Sequence, residues 1–328
     1  MHPGPLMLIG GAEDKLRKRT ILKEFVAASG GAEARIAVIP TASSLGAEVT
    51  ELYDDLFRRL GAARVDEVRP ETRAEASDPA YVRALGEATG VFMTGGNQLK
   101  LSSVVCGTPV GQAIFAAHER GVVVAGTSAG ASIQSSHMVA FGTGGATPKQ
   151  RMTQVAAGLG LIEGAVVDQH FDQRNRYGRL LMIVSQSPQL LGIGVDEDTA
   201  GIVDTVDGRQ VLRVIGRGAV TVFDPARIVT NAHEAKRSSP LLSSGVVLHV
   251  LPAGAAFDLS KRELLDQPHR VDPEDLAEVL AAPHDLSQMV RDVAASDASP
   301  AALRRRLART RKPRTSRALK PSPPPNQS

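Results

Sequence analysis

The fold is decided by one stretch of the chain, Gly121-Val122-Val123-Val124-Ala125-Gly126-Thr127-Ser128-Ala129-Gly130. Its first half is short and wholly apolar, which is typical of a strand buried on both faces of a parallel sheet. Small residues follow at once, and a segment compatible with a helix comes after them. Strand, sharp turn and helix in this order predict a βα unit, with residues 126–130 at the carboxyl end of its strand.

Similar units precede this stretch. Short apolar runs end at glycine, proline or threonine, and apolar residues at helical spacing lie between them; the runs are 6–9, 35–39 and 91–93, and the helical segments are 44–60 and 109–120. Repeated βα units predict an α/β fold with a doubly wound, mostly parallel sheet flanked by helices. Functional sites in such folds form at the carboxyl ends of the strands.

Later segments predict further strands. Two follow the same pattern at 165–167 and 192–195, and shorter β-like segments come after them at 201–203, 211–215, 220–223 and 246–251. We interpret the shorter segments as extra strands at one edge of the sheet. Asp272-Pro273-Glu274 predicts the start of another helix. We therefore expect one domain over 1–298 and a disordered, basic, proline-rich tail over 299–328.

The composition is that of a soluble globular protein, with 42% hydrophobic and 22% charged residues. No apolar run is long enough to span a bilayer, and residues 1–5 lack the basic start of a signal peptide. The single cysteine, Cys106, excludes an intramolecular disulfide and a metal cluster of several cysteines, and we expect it to be structural. These features predict a cytoplasmic protein without membrane contact.

The net charge of +3 is unevenly distributed. The segment from Arg304 to Lys320 carries nine bases and no acid, so the rest of the chain has a net charge of 3 − 9 = −6. Aromatic residues make up only 3%, which leaves few platforms for stacking nucleic-acid bases. We expect the tail to be a solvated terminus; electrostatic contact with nucleic acid is the less favoured alternative.

Residues 126–130 match the Gly-x-Ser-x-Gly pattern of a nucleophile elbow, in the strand–turn–helix context that this motif requires. The glycines permit the tight turn, and Ser128 would be the nucleophile. The backbone N–H of Ala129, at the start of the helix, is a candidate oxyanion donor. The alternative is a turn of small residues that only packs a helix on the sheet.

Two glycine pairs, Gly10-Gly11 and Gly95-Gly96, match neither the dinucleotide fingerprint nor the P-loop. We interpret both as places where the backbone approaches the site closely. On this interpretation the N–H of Gly96 is a second candidate oxyanion donor.

His170 is the one of eight histidines that follows a predicted strand at the end where α/β sites form. Asp196-Glu197-Asp198 follows the next predicted strand, so a carboxylate there could orient the imidazole of a catalytic base. A structural histidine and a solvated acidic turn remain alternatives. The order serine, histidine, acid differs from that of α/β-hydrolases, which disfavours a common lipase or esterase.

The segment around His170 supports two further interpretations. Asp168, His170 and Asp172 alternate along a predicted strand, which is a possible spacing for metal ligands and keeps a metal-dependent hydrolase open. Three arginines follow, which form either a solvated surface or a clamp for carboxylates: Arg174, Arg176 and Arg179.

Several segments together resemble the cyanophycinases of peptidase family S51. They run in order from about Leu6 to Phe223, roughly two thirds of the chain: 9–15, 40–44, 92–99, 126–130, 168–180 and 192–200. The segment 168–180, together with Val167 before it, is the most specific of them. The elbow alone is shared with dipeptidase E and, less closely, with class I glutamine amidotransferase-like domains.

The resemblance implies a class I glutamine amidotransferase-like fold and a cytoplasmic, usually dimeric serine exopeptidase without a cofactor. Its substrate would be cyanophycin, a polyaspartate backbone with arginine joined to each β-carboxyl, or a related Asp/Arg peptide. The products would be β-Asp-Arg dipeptides. Ser128 would then be the nucleophile, His170 the base and Glu197 the orienting acid. The implied substrate pocket consists of Gln98, Asp168, Gln169, Arg174, Arg176 and Arg179.

Asp172 and Asn175 depart from the family pattern inside its most specific block, and we expect Asp172 to alter the charge of the pocket.

Two further alternatives for the function remain at this point. One is an aspartyl dipeptidase similar to dipeptidase E, and the other is a non-catalytic binding module whose tail holds an acidic partner.

Overall fold

A computed structural model describes residues 2–265 of the chain. The strands are β1 Leu6–Ile9, β2 Arg35–Ile39, β3 Arg64–Glu67, β4 Gly90–Met93, β5 Val123–Thr127, β6 His137–Gly142, β7 Thr153–Ala157, β8 Ala165–Gln169, β9 Leu191–Val195, β10 Thr199–Val206, β11 Arg209–Gly216, β12 Ala219–Asp224, β13 Val229–Thr230, β14 Ser243–Ser244, β15 Val247–Pro252, β16 Ala256–Asp258 and β17 Glu263–Leu264. The helices are α1 Thr20–Ala28, α2 Ala47–Arg59, α3 Pro79–Glu87, α4 Gln98–Val105, α5 Pro109–Glu119, α6 Ala129–Ser132 and α7 Tyr177–Gln186. The predicted helix at 272–274, the predicted boundary at 298/299 and the tail lie outside the described residues.

The central sheet has nine strands in the order β17-β16-β11-β10-β1-β5-β4-β2-β3. Five neighbouring strands pair in parallel: β1, β5, β4, β2 and β3. On the other side of β1 the pairs are antiparallel, from β10 through β11 and β16 to β17. The parallel half has the helix-connected, buried strands that the apolar runs predict. The predicted α/β fold class is therefore confirmed. The register pairs Ile9 with Thr127, which brings the ends of β1 and β5 together.

A second sheet of four strands has the order β15-β12-β9-β8. The short segments predicted as strands at one sheet edge are thus divided between two sheets. β10 and β11 extend the central sheet beside β1, whereas β12 and β15 pair in the sheet that contains β9. An apolar run shows that a strand is buried, but it does not show which neighbour the strand will pair with.

Both faces of the central sheet are covered. Along β1, Met7 and Ile9 pack in the cluster that contains the aromatic rings of α1 and α2, because alternate side chains of a strand point to opposite faces. Leu6 and Leu8 belong to a cluster on the other face, which also includes Val167 of β8 in the second sheet. The two sheets therefore share one hydrophobic core. Among residues 2–265, no helix combines the length and the apolar character needed to cross a membrane.

Candidate active site

Ser128 lies in the sharp turn between β5 and α6, with φ 53° and ψ −109°. A residue other than glycine held at such a positive φ costs about 1–3 kcal/mol of backbone strain, and such residues are found mostly at functional sites. A Cβ atom on Gly126 would lie 2.0 Å from the Gly130 carbonyl oxygen, and one on Gly130 would lie 2.3 Å from that of Met93. The glycines on either side of Ser128 are therefore a steric requirement of the turn.

Ser128, His170 and Glu197 form a continuous hydrogen-bonded chain. Ser128 Oγ lies 2.9 Å from His170 Nε2, and His170 Nδ1 lies 2.6 Å from Glu197 Oε1. These are the distances expected between a nucleophile and its base and between the base and an orienting acid. The structure thus brings together the three residues that the family resemblance implied as a triad.

The two carboxylates beside Glu197 have other partners. Asp196 accepts backbone N–H bonds from Asp172 at 3.1 Å and from Ala219 at 3.0 Å, and Asp198 accepts one from Asp14 at 2.8 Å. They hold neighbouring loops in place. Glu197 alone of the three is bonded to the imidazole.

The hydrogen bond from His170 lowers the pKa of Glu197 below its ordinary value, and although partial burial opposes this, the charges of Arg174 and Arg176 act in the same direction. Glu197 is therefore ionised at neutral pH. An ionised carboxylate in this position fixes the orientation of the imidazole and stabilises the imidazolium that forms when the ring accepts a proton.

The imidazole of His170 is packed against the backbone at Gly11. A Cβ atom on Gly11 would lie 2.3 Å from His170 Cε1, and the φ of Gly11 is 104°, so a side chain is excluded there on two grounds. His170 itself has a φ of 46°, and its N–H donates to the Gly10 carbonyl oxygen at 2.8 Å. The predicted close approach of the backbone at Gly10-Gly11 is confirmed.

The two glycines of the second pair, Gly95 and Gly96, contact different residues. A Cβ atom on Gly95 would lie 3.2 Å from Ser128 Cβ, so Gly95 is the glycine next to the nucleophile. Gly96 packs against the Ala42 carbonyl oxygen instead. Two adjacent glycines look alike in a sequence, so no signal could have separated them. The oxyanion roles of Gly96 and of Ala129, the first residue of α6, stay predictions.

Two predicted pocket residues, Gln98 and Gln169, lie beside the nucleophile. Gln169 Oε1 lies 3.3 Å from Ser128 Oγ, and Gln169 Nε2 donates to Gln98 Oε1 at 3.4 Å. Gln98 is anchored in turn by a 2.5 Å bond to the Val139 carbonyl oxygen. This row of amides provides both hydrogen-bond donors and acceptors at the site.

The predicted arginines separate into two kinds. Arg179 is buried and donates to both oxygens of the fully buried Asp168, at 2.6 Å to Oδ2 and also to Oδ1. Arg176 is buried too, with bonds to the Gln169 carbonyl oxygen at 2.5 Å and to Asp168 at 3.3 Å. Burial lowers the pKa of Arg176 to about 10, which leaves it charged at neutral pH. Arg174 is exposed, so its guanidinium is the most accessible of the three.

The geometry differs from the one required by the metal alternative. β8 ends at Gln169 and His170 adopts a positive φ, so Asp168, His170 and Asp172 do not share one strand face. Both oxygens of Asp168 are bonded to Arg179. Within residues 2–265, no three histidine, cysteine or acidic side chains are grouped so that they could hold a metal ion.

Sequence reasoning missed one group at the site. Glu13 is buried behind the elbow, where its carboxylate accepts hydrogen bonds from Thr127 and Tyr53, both at 2.5 Å. Thr127 and Glu13 are 114 positions apart, and neither residue type signals the other.

Known proteins are similar to this chain over most of its length. The sequence profile of "Peptidase family S51" matches residues 6–211. A protein of Trichormus variabilis named cyanophycinase is 41% identical over 271 residues, covering 81% of this chain and 89% of that protein. A protein of the same name from Geminocystis herdmanii is 37% identical over 255 residues, covering 77% and 93%.

A solved structure shares the fold. The crystal structure of a peptidase from an acI-B1 Actinobacterium superposes with a TM-score of 0.54 at 22% identity, over 75% of this chain and 97% of that one. The profile match extends from β1 into β11 and includes Ser128, His170 and Glu197. The chain therefore belongs to peptidase family S51 and is a serine-type peptidase.

Proposed function

We propose that this chain is a cytoplasmic exopeptidase, acting as a homodimer, that hydrolyses cyanophycin to β-Asp-Arg dipeptides through an acyl-enzyme. The observation that carries the proposal is the hydrogen-bonded chain from Ser128 through His170 to Glu197. Support for the substrate comes from the relatives named cyanophycinase, which are 37–41% identical over about four fifths of the chain.

The proposed reaction follows from the positions of the three side chains. Ser128 Oγ attacks the scissile carbonyl carbon while His170 Nε2 takes the hydroxyl proton, and the oxyanion that forms is bound by backbone N–H groups at the elbow. His170 then gives the proton to the leaving amine, the C–N bond breaks, and the amine departs while the acyl group stays on Ser128 Oγ. Water, activated by the same imidazole, hydrolyses this ester, which releases the fragment with the new carboxylate and restores Ser128.

The surroundings offer an exposed cation and neutral amides to the substrate. Each unit of cyanophycin carries one arginine, and therefore one free carboxylate and one guanidinium. Arg174 is an exposed cation near Glu197, which supports a role in binding a carboxylate, since guanidinium groups hold carboxylates bidentately. The amides of Gln98 and Gln169 offer neutral partners for the rest of the unit.

The test compares the wild type with Ser128→Ala on purified cyanophycin, with β-Asp-Arg quantified by chromatography and EDTA added to a parallel wild-type sample. We expect release by the wild type that is insensitive to EDTA, and a loss of about 10³–10⁶-fold in the variant, because removing one triad member disables the unit. Equal unfolding temperatures for the two proteins serve as the folding control. A folded wild type that releases nothing from cyanophycin but cleaves α-aspartyl dipeptides would contradict the proposed substrate.

A further inference from the structure

The segment 9–14, at the end of β1, contacts each of the three loops that carry the candidate catalytic residues. Three consecutive carbonyl oxygens each accept one backbone N–H from these loops: Ile9 from Ser128 at 2.9 Å, Gly10 from His170 at 2.8 Å and Gly11 from Asp198 at 2.9 Å. The segment therefore acts as a common support for loops that are far apart in the sequence.

Glu13 adds a side chain to this support. It is 3% exposed, and its Oε2 accepts a 2.5 Å hydrogen bond from the hydroxyl of Thr127, the residue directly before Ser128. Its Oε1 accepts from the Tyr53 hydroxyl at 2.5 Å and lies 2.8 Å from Lys15 Nζ. Both carboxylate oxygens are thus occupied, and only one of the bonds leads to the elbow.

The carboxylate is held in its charged form. Burial by itself would raise the pKa of Glu13, but the charge of Lys15 and the hydrogen bonds from Lys15, Thr127 and Tyr53 together lower it. A hydrogen bond to an ionised acceptor is stronger than one between neutral groups, and it is shielded from water here. The Thr127 hydroxyl is therefore held firmly.

We propose that Glu13 is a positioning residue for the reaction: through the Thr127 hydroxyl it fixes the strained turn that presents Ser128 to His170. This rests on the proposed role of Ser128 as the nucleophile. The turn stores strain because Ser128 has a φ of 53°, and a strained residue keeps its conformation only where its surroundings determine it. Without the Glu13–Thr127 bond, the elbow relaxes and the 2.9 Å contact between Ser128 and His170 is populated less often.

The experiment removes a threonine hydroxyl at Thr127 and, as a control, at Thr108. Thr127→Val deletes the bond to Glu13. Thr108→Val deletes a comparable buried bond, from the Thr108 hydroxyl to the Val105 carbonyl oxygen at 2.6 Å, together with the 3.3 Å bond by which the same hydroxyl caps α5 at the Gly111 N–H. Thr127→Ser keeps the hydroxyl and tests rescue. Glu13→Gln keeps the shape of the acceptor without its charge, and it provides a second measurement should Thr127→Val fail to fold.

Two quantities are measured on each folded protein: the rate at which a fluorophosphonate labels Ser128, and kcat and KM on cyanophycin. Because the nucleophile is misplaced while the pocket is kept, we expect labelling and kcat of Thr127→Val to fall about 10–100-fold with KM within about threefold. Glu13→Gln should show a smaller loss of the same kind. Thr127→Ser and Thr108→Val should label at close to the wild-type rate.

The labelling assay does not use cyanophycin, so the possible failures can be told apart. Labelling of Thr127→Val and Glu13→Gln at the wild-type rate would overturn the positioning role and leave the nucleophile in place. An equal loss in Thr108→Val would also overturn it, since the effect would then be one of stability. A wild type that is not labelled at Ser128 would overturn the proposed function and this inference with it. Normal labelling without cleavage of cyanophycin would contradict only the proposed substrate.

Discussion

Gly11 and Gly61 have almost the same φ, 104° and 105°, but different surroundings. A Cβ atom on Gly11 would lie 2.3 Å from His170 Cε1 and 2.5 Å from Nε2. For Gly61, no described residue other than its chain neighbours has an atom within 4 Å of that position. An alanine at either position is therefore strained by the positive φ, while only the one at Gly11 displaces the imidazole.

We predict that Gly11→Ala lowers kcat/KM by about 100-fold or more, because His170 is held at both ring nitrogens and cannot move without losing Ser128 or Glu197. Gly61→Ala should keep activity within about threefold, although both variants lose about 1–2 kcal/mol of stability to the positive φ. Steady-state kinetics on cyanophycin and denaturant unfolding provide the two measurements. Equal activity of the two variants would show that the contact with His170 does not matter.

At the residue scale, the sequence predicted the site wherever a polar residue follows a strand. Ser128 and His170 were found in this way, and the structure brings them within hydrogen-bonding distance. Physical reasoning alone could not choose Glu197 from the three consecutive acids, because the direction of each side chain depends on backbone angles such as the φ of 50° at Asp198. Only the family resemblance made that choice.

At the scale of elements, a buried ion pair connects the end of β8 to α7. Asp168 and Arg179 are 0% and 2% exposed, and the guanidinium bonds both carboxylate oxygens. Arg179 also donates to the Gly142 carbonyl oxygen at 3.2 Å, which adds the end of β6 to the junction. The strand that leads into His170 is thereby fixed to the helix that follows it.

We predict that Arg179→Leu destabilises the protein by about 3–5 kcal/mol, because it leaves the charge of Asp168 buried without its main partner. Arg174→Leu, at an exposed position, should change stability by no more than about 0.5 kcal/mol. If Arg174 binds the substrate carboxylate, the second variant should instead raise KM. Urea unfolding and steady-state kinetics of both proteins test this, and equal destabilisation would contradict the division of the arginines into two kinds.

Element boundaries show what local patterns can and cannot predict. The helix predicted over 44–60 begins only at Ala47, since Gly46 has φ 58° and ψ −134°, which is outside the helical region. The helix predicted over 109–120 forms as Pro109–Glu119, with the Thr108 side chain capping it through the Gly111 N–H. Capping and proline signals are local and can be recognised in a sequence. The pairing of β12 with β9 depends on residues that are distant in the sequence, so no local signal could predict it.

At the scale of the whole molecule, the site lies where the two sheets meet. Ser128 follows β5 of the central sheet, His170 follows β8 of the second sheet, and Glu197 lies in the turn by which the chain passes from β9 to β10. The geometry of the triad therefore depends on how the sheets pack over their shared core. The sequence predicted one continuous sheet. It located the three residues correctly at the ends of strands, but it did not predict that two sheets meet at the site.

Asp198 belongs to that junction. Its N–H donates to the Gly11 carbonyl oxygen at 2.9 Å, and its carboxylate accepts the Asp14 N–H at 2.8 Å, so it links the β9–β10 turn to the support after β1. Burial raises the pKa of Asp198 to about 6 from its ordinary value of 3.8, and the negative charges of Asp14 and Glu13 act in the same direction. At neutral pH the fold thus holds a carboxylate that it would bind more favourably in the protonated form.

The sign of the resulting pH dependence can be tested with Asp198→Asn, because asparagine tolerates a positive φ as well as aspartate does and keeps the acceptor oxygen. The folded carboxyl binds its proton more tightly than the unfolded one, so the contribution of Asp198 to wild-type stability falls as pH rises from about 4 through 6, whereas the variant lacks this titration. We predict that the variant is more stable than the wild type by about 1–2 kcal/mol at pH 8, less than the full shift implies because water partly screens the group, and that the advantage disappears near pH 4. Urea unfolding of both proteins at these pH values measures the difference, in which other titrating groups cancel. A difference that is the same at both pH values would show that Asp198 does not hold its proton more tightly in the folded protein.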